Sequence, residues 1–250
     1  MNIYSDMGNI ICLVRRCQWR GIKVEVEPVS IGQTLDWKKY DLFFGGGGQD
    51  RQQLIVSQDL QTKKKALKEA VDVGLPMLTT CGTYQLFGHY FKTHEGVKIP
   101  GISIFDAYTV ASNLRKIGNI VIQFSIFNFQ FSNKVVGFEN HSGNTFIEKI
   151  KNPSQGLVGL GPKQLTIPLG HVLKGFGNNG TDKTEGAIFK NCLGTYLHGP
   201  VLPKNPHLAD WLIKTALERK YKKPIKLTPL DDILEWQAHE CASQRTWETA

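Results

Sequence analysis

An apolar burst at residues 40–44 ends at four consecutive glycines, Gly45 to Gly48, and gives way to a polar, amphipathic stretch over residues 50–73 that stops at Gly74. A second short apolar run, residues 76–80, is closed by Cys81 and Gly82, and residues 83–90 begin another helical pattern with Leu86 and Phe87 on its inner side. Short strands separated by helices call for a βαβ organisation. Glycine is the favoured residue just past a helix, so Gly74 marks where the long helix should end. Upstream, residues 2–5 read as short and extended, residues 7–20 as helical, and residues 23–29 alternate at period two and predict a strand.

From residue 119 the texture turns β-rich. Ile120 to Ile122 are followed by Phe124, Phe127, Phe129 and Phe131 alternating with polar residues, then by apolar runs at 135–138 and 172–176 ahead of a Gly-Asn-Asn-Gly turn. Residues 191–197 read as one more strand, and residues 207–220 and 230–243 as closing helices anchored by Trp211 and Trp236. This pattern predicts an α/β fold, a central and mostly parallel sheet flanked by helices, with an antiparallel extension. No low-complexity linker or repeat interrupts the chain, so residues 1–250 are expected to form one domain, on which the helices at about 207–243 pack. With 41% hydrophobic and 21% charged residues, the chain can bury one sizeable core, which excludes disorder, collagen-like repeats and a disulfide scaffold.

The formal charge of +8 raises the question of nucleic acid, but the positive residues are spread out. The short runs at Lys63 to Lys65 and Arg219 to Lys223 read as solvated helix faces, so no nucleic-acid partner is expected. The longest apolar run near the start, Ile10 to Val14, is far short of the roughly 20 residues of a membrane helix, and Asp6 interrupts any signal-like region. A cytoplasmic location without membrane insertion is the expectation. Five scattered cysteines, Cys12, Cys17, Cys81, Cys192 and Cys241, match neither a disulfide framework nor a zinc site, so no metal is expected.

Cys81 sits where a strand gives way to a helix, a position in which first-turn N–H groups and the helix dipole stabilise a thiolate. The expected geometry resembles a nucleophile elbow, and Gly82 fits the small residue that permits the tight turn and offers its N–H to an oxyanion. The alternative is a buried core cysteine. Ligands bind beyond the carboxyl ends of parallel strands, where the glycine run lies, and Gly47 or Gly48 is read there as a second oxyanion donor. A phosphate loop competes, but Gly-Lys-Ser/Thr is missing; a bland flexible turn also remains. His198 ends a strand between glycines and is read as the base for the thiol, whereas His89, His94, His171, His207 and His239 are read as surface or core residues.

The glycine run, Thr80-Cys81-Gly82-Thr83-Tyr84-Gln85-Leu86 and Gly194-Thr195-Tyr196-Leu197-His198-Gly199-Pro200 resemble class I glutamine amidotransferase domains of the cobyric acid synthase type. Residues 2–9, Gly137-Phe138-Glu139-Asn140-His141-Ser142-Gly143, and Leu202-Pro203-Lys204-Asn205 after Pro200 are similar to the glutaminase subunits of lipid II isoglutaminyl synthases. The resemblance implies a flavodoxin-like fold, Cys81 as nucleophile and His198 as its base. It also implies Arg115 as the cation that holds the glutamine α-carboxylate, and Asp6, an acidic residue of the same cleft, together with Gly47, Gly48 and Gly82 as substrate-binding residues.

By the same resemblance, ammonia from glutamine passes to a separate Mur-ligase-like, ATP-dependent partner, forming a heterodimer that amidates the D-glutamate α-carboxylate of lipid II. No ATP motif is present, so this chain is expected to need no cofactor. Three departures stand out: Pro200 replaces the glutamate common two residues after the histidine, Thr83 replaces a glycine, and Gly45 replaces a branched apolar residue. His198 therefore works in a dyad or is oriented by a group from elsewhere, such as the partner. A glutaminase serving another acceptor, such as a tetrapyrrole carboxylate, or a non-catalytic module of the same fold, are the competing readings.

Overall fold

A polar residue followed by apolar positions spaced for one helical face starts helix α1, Met7–Gln18, which carries Cys17 and Arg16 into the interior. The computed structural model describes residues 6–48, 50–125, 132–148 and 165–245; the readings at residues 2–5 and at Phe127, Phe129 and Phe131 lie outside them. Helix α2, Asp50–Asp72, ends where the sequence predicts, with Gly74 at φ +76° and Leu75 N–H returning to Ala70 C=O. Among the described residues, no helix is long and apolar enough to cross a membrane.

Strands β1 (Phe43–Gly45), β2 (Met77–Thr80), β9 (Ala187–Phe189) and β10 (Cys192–Thr195) form a sheet in the order β1-β2-β10-β9. The first three run parallel, and only β9 is antiparallel. All residues of β2 and β10 are buried, as parallel strands covered on both faces should be. Alternate residues feed two cores: Met77 and Cys192 pack with Leu67, Val71 and Leu75 of the α2 side, while Leu78 and Leu193 pack with Leu208 and Leu212 of helix α4, Pro206–Tyr221. Trp211 packs against the second core, and Trp236 of helix α5, Ile233–Gln244, stacks on His207.

The expected antiparallel extension is a second sheet ordered β4-β3-β5-β7-β8, with β6 added on β5, and it is antiparallel except for the β3–β5 pair. Its strands are β3 (Tyr90–Lys92), β4 (Lys98–Pro100), β5 (Ala107–Phe124), β6 (Lys134–Ile147), β7 (Gly170–Lys174) and β8 (Thr184–Glu185). The long β5–β6 ribbon breaks register between Ala111 and Lys116, a bulge that bends the strand. The ribbon also reaches the first sheet, because Phe138 of β6 exchanges backbone hydrogen bonds with His198.

The strand expected at residues 23–29 does not form. Val24 and Val26 are 37% and 52% exposed, so neither face of the alternation is buried and no core specifies a pairing.

Helix α1 is held by a buried guanidinium. Arg16 donates Nε to Asp210 at 2.7 Å and both terminal nitrogens to Asp232 at 2.6 and 2.9 Å, tying α1 to α4 and to the start of α5. Removing one partner of a buried ion pair costs about 3–5 kcal/mol, and here the low end applies because both carboxylates keep some contact with water. Arg16→Met should therefore lower unfolding free energy by about 3 kcal/mol in urea titrations, and wild-type stability in that variant would remove Arg16 as the anchor of α1.

Candidate active site

Cys81 follows β2 directly and caps helix α3, Gly82–Phe87. Its backbone, at φ +48° and ψ −110°, is one that a residue with a side chain rarely adopts. The strain is held by two hydrogen bonds: Cys81 N–H donates to Thr195 C=O at 2.8 Å, and its own C=O accepts from Gln85 N–H at 3.0 Å. A sharp strand-to-helix turn of this kind aims the side chain out of the sheet while placing the sulfur over a helix N-terminus.

Register decides what faces it. Thr80 of β2 pairs with Thr195 of β10 at the carboxyl ends of two parallel strands, so the residues that leave those strands emerge together. His198 is three residues beyond β10 and is pinned by its backbone bonds to Phe138, at 2.7 and 3.3 Å. Its side chain is buried, and so is the carboxylate of Asp6, whose Oδ1 lies 3.7 Å from His198 Nδ1. That separation is longer than a hydrogen bond but short enough for strong charge attraction in a site shielded from water.

Burial opposes the charged form of His198, yet the attraction of Asp6 and Cys81 outweighs it and pushes the imidazole up to about 9. A second buried histidine shows that burial can win. His141 also has a carboxylate 3.7 Å away, Glu139, but its pKa is lowered, first by burial and further by Lys116. Glu139 is already committed to the N–H groups of Phe176 and Gly177. Of these two buried histidines, His198 is the one held as a cation at neutral pH.

Asp6 lies in the cleft that the resemblance implies, but with its carboxylate committed inside the protein. It stands at the N-cap of α1 without capping it. Instead its Oδ2 accepts from Gly47 N–H at 2.5 Å and from the Thr80 hydroxyl at 3.3 Å. With the residue 1% exposed and the carboxylate turned inward, Asp6 backs His198 and is not placed to touch a substrate. The same bond corrects the reading of Gly47: its N–H is used internally. Gly48 is the better-placed donor, since its N lies only 3.2 Å from where a Cβ on Gly82 would stand, which brings the two backbone segments together beside Cys81.

The three departures from the family pattern are packed as complements. A Cβ on Gly45 would come within 2.6 Å of Thr83 Cγ2, so the threonine methyl fills the space that a branched residue at 45 would occupy; its hydroxyl donates to Gly46 C=O. A Cβ on Gly8 would meet Pro200 Cγ at 2.4 Å, so α1 rests directly on the residue two places after His198. Asn9 Oδ1 accepts from Leu202 N–H and extends this contact. Asp6 thereby reaches His198 from α1.

Arg115 is exposed on the β5 bulge and donates Nε to Asn140 Oδ1 at 2.7 Å. Asn140 is two residues along β6 from Phe138, the backbone partner of His198.

Behind Cys81 lies a buried polar cluster that sequence reasoning missed. Gln53 donates to Gln85, which donates to the Tyr196 hydroxyl, itself 2.6 Å from Thr145 Oγ1. The His141 ring stacks on Tyr196 with centroids 3.6 Å apart. Glu185 accepts from the Thr195 hydroxyl and from Tyr196 N–H, both at 2.7 Å. Glu139 and His141 belong to a motif visible in the sequence; Glu185 sits in a polar, lysine-containing stretch where nothing in the pattern marks it as buried. Elsewhere, His89, Asp106 and Glu148 form an exposed group within ligating reach of one another, occupied by the His89–Asp106 pair at 2.8 Å.

Because the folded-state pKa of His198 is raised from 6.5 to about 9, the folded protein holds a proton that the unfolded chain releases between those values. Its contribution to stability is fully present below pH 6.5 and is lost as pH rises through about 9. Urea midpoints should fall over that window in the wild type and fall less in His198→Gln; parallel curves would show that the imidazole is not held charged.

Residues 1–206 match the CobB/CobQ-like glutamine amidotransferase domain. The chain is 40% identical over 245 residues to the lipid II isoglutaminyl synthase (glutamine-hydrolyzing) subunit GatD of Staphylococcus aureus strain N315, covering 98% of this chain and 91% of that one. It is 37% identical over 241 residues to the subunit of the same name from Streptococcus pneumoniae strain R6, covering 96% of this chain and 85% of that one. The structure of PurLQS from Thermotoga maritima superposes with a TM-score of 0.53 at 12% identity, over 85% of this chain and 92% of that one, a likeness of fold alone. With a domain match over most of its length, relatives aligned nearly end to end, and a strained cysteine turn beside a strand-end histidine, the chain belongs to the CobB/CobQ-like glutamine amidotransferase family.

Proposed function

We propose that this chain is the glutaminase subunit of a two-chain enzyme, hydrolysing glutamine and supplying ammonia to an ATP-dependent, Mur-ligase-like partner that amidates the D-glutamate α-carboxylate of lipid II. The observation that carries the glutaminase half is the pairing of a strained, helix-capping Cys81 with a histidine held as imidazolium by Asp6. The acceptor and the partner rest on the relatives named as lipid II isoglutaminyl synthase subunits. No cofactor or metal is assigned to this chain, and its place of action is the cytoplasm.

The chemistry runs as a thioester cycle. Cys81 Sγ, as thiolate, attacks the side-chain amide carbon of glutamine, and the developing oxyanion is received by the N–H groups of Gly82 and Gly48. His198 gives its proton to the departing nitrogen, the C–N bond breaks, and ammonia leaves a γ-glutamyl thioester on Cys81. Neutral His198 then takes a proton from water as the water attacks the thioester carbon. Glutamate leaves, and the proton returns the pair to its starting state. Asp6 stabilises the imidazolium and holds the ring's orientation from within this chain, which supplies what the missing glutamate at position 200 would otherwise do. Arg115 pairs with the α-carboxylate of glutamine through a planar fork that lysine lacks.

Thiol selectivity tests the nucleophile. Burial pushes the Cys12 thiol up to about 12, and it raises Cys17 and Cys192 as well, so these thiols stay protonated at neutral pH. A glutamine-mimicking alkylator should label Cys81 and spare these three, and Cys81→Ala should abolish ammonia release in the presence of the co-purified Mur-ligase-like chain; equal labelling of Cys192 or surviving turnover would sink the assignment.

Substrate recognition has its own readout. Arg115→Ala should raise KM for glutamine by roughly 10- to 100-fold, the loss of one charge-assisted pair of about 1.5–3 kcal/mol, with Cys81 labelling by a small neutral alkylator unchanged. An unchanged KM together with lost partner binding would make Arg115 an interface residue. Asp6→Asn should lower kcat by at least about 10-fold while leaving KM in place.

A further inference from the structure

We propose that Glu185 is the positioning residue that holds the His198-bearing segment in register with the Cys81 turn. The proposal rests on the glutaminase reading above, since positioning matters only if these two side chains react together. Glu185 lies on β8, at the edge of the second sheet, and is fully buried. One carboxylate oxygen, Oε1, accepts both the Thr195 hydroxyl and Tyr196 N–H at 2.7 Å.

Thr195 then distributes that grip. Its Oγ1 accepts from Leu197 N–H at 3.0 Å, one residue before His198, and its C=O accepts the Cys81 N–H at 2.8 Å. A single side chain thus fixes the last residue of β10, the first two residues that leave it, and the peptide of the nucleophile's turn. The segment needs such support: residues 196 and 197 have left the sheet ladder, and their backbone donors would otherwise be buried without acceptors. A neutral hydroxyl could not serve equally well, because two strong donors converge on one point, which suits a carboxylate oxygen.

The location is costly for a charge. Among the described residues no cation pairs with Glu185, its other oxygen Oε2 has no hydrogen-bond partner, and burial pushes the carboxyl up to about 7. Glu139 adds further repulsion. A residue whose only role was to fill space at this point would be better made apolar. The polar alternative is accounted for by what its Oε1 holds.

The experiment compares glutamine hydrolysis by the two-chain complex for Glu185→Ala, Glu185→Gln, Thr195→Val, Thr195→Ser and the double variant Glu185→Ala/Thr195→Val, with Cys81→Ala as the control. Glu185→Ala and Thr195→Val should each lower kcat by at least about 10-fold with KM for glutamine within about 2-fold, since misplacement of reacting groups slows chemistry without removing substrate contacts. Alkylation of Cys81 by a small neutral reagent should slow in parallel. Glu185→Gln keeps the Oε1 acceptor and Thr195→Ser keeps the hydroxyl, so both should recover most of the loss. The double variant should be no worse than the worse single one, as for two links of one chain. Should Glu185→Ala fail to fold, the Thr195 pair carries the test with Glu185 in place. Wild-type kcat in Glu185→Ala or Thr195→Val, an equal change in KM, no recovery in the conservative variants, or strict additivity in the double variant would overturn the proposal. Turnover surviving in Cys81→Ala would instead overturn the glutaminase reading itself.

Discussion

The site depends on the register between two parallel strands. Thr80 of β2 is level with Thr195 of β10, and the first N–H beyond β2, that of Cys81, donates to the last C=O of β10. A shift of one residue would reverse which core each side chain of β10 enters, moving Cys192 and Leu193 into the wrong layers. The alternation of buried side chains thus enforces the alignment that brings the turn at Cys81 and the chain leading to His198 to the same end of the sheet. The strained backbone of Cys81 persists because a full core on both sides of β2 leaves it no room to relax.

Charge burial is the second constraint, and it is met by convergence of separate elements. Asp6 comes from the N-cap of α1, Gly47 N–H from just beyond β1, Thr80 from the end of β2, and His198 from beyond β10. The carboxylate is acceptable because it receives two protein donors, faces an imidazolium and lies at a helix N-terminus. Its placement depends on α1, which is held at one end by the contact of Gly8 with Pro200 and at the other by Arg16 between two aspartates. Pro200 serves as a seat for α1, and the carboxylate of Asp6 reaches the histidine from that helix's N-cap.

The antiparallel extension contacts the segment that leaves β10. Its ribbon supplies the backbone partner of His198 at Phe138 and the bulge that carries Arg115, while β8 brings Glu185 beneath the segment that β10 releases. Tyr196, clamped between the His141 ring and the hydroxyl of Thr145, joins the two sheets through side chains. The parallel sheet therefore sets where the thiol and imidazole emerge, and the second sheet determines how firmly they are held.

Local pattern determined the strand-turn-helix at Cys81, the long helix stopped by Gly74 and the glycine run beyond β1, because each is encoded by periodicity and by glycine within a few residues; the antiparallel strands begin earlier than residue 119, with the β3–β4 pair and with β5 from Ala107. Local pattern also misled at residues 23–29, where alternation is real but no neighbour buries either face. The use of the Gly47 N–H, the burial of Asp6 against His198, the fit of Thr83 to Gly45 and of Gly8 to Pro200, and the place of Glu185 under Thr195 were decided by tertiary structure alone. Each joins residues from separate elements, and whether a carboxylate is solvated or buried is a property of what packs around it, which no local stretch of sequence contains.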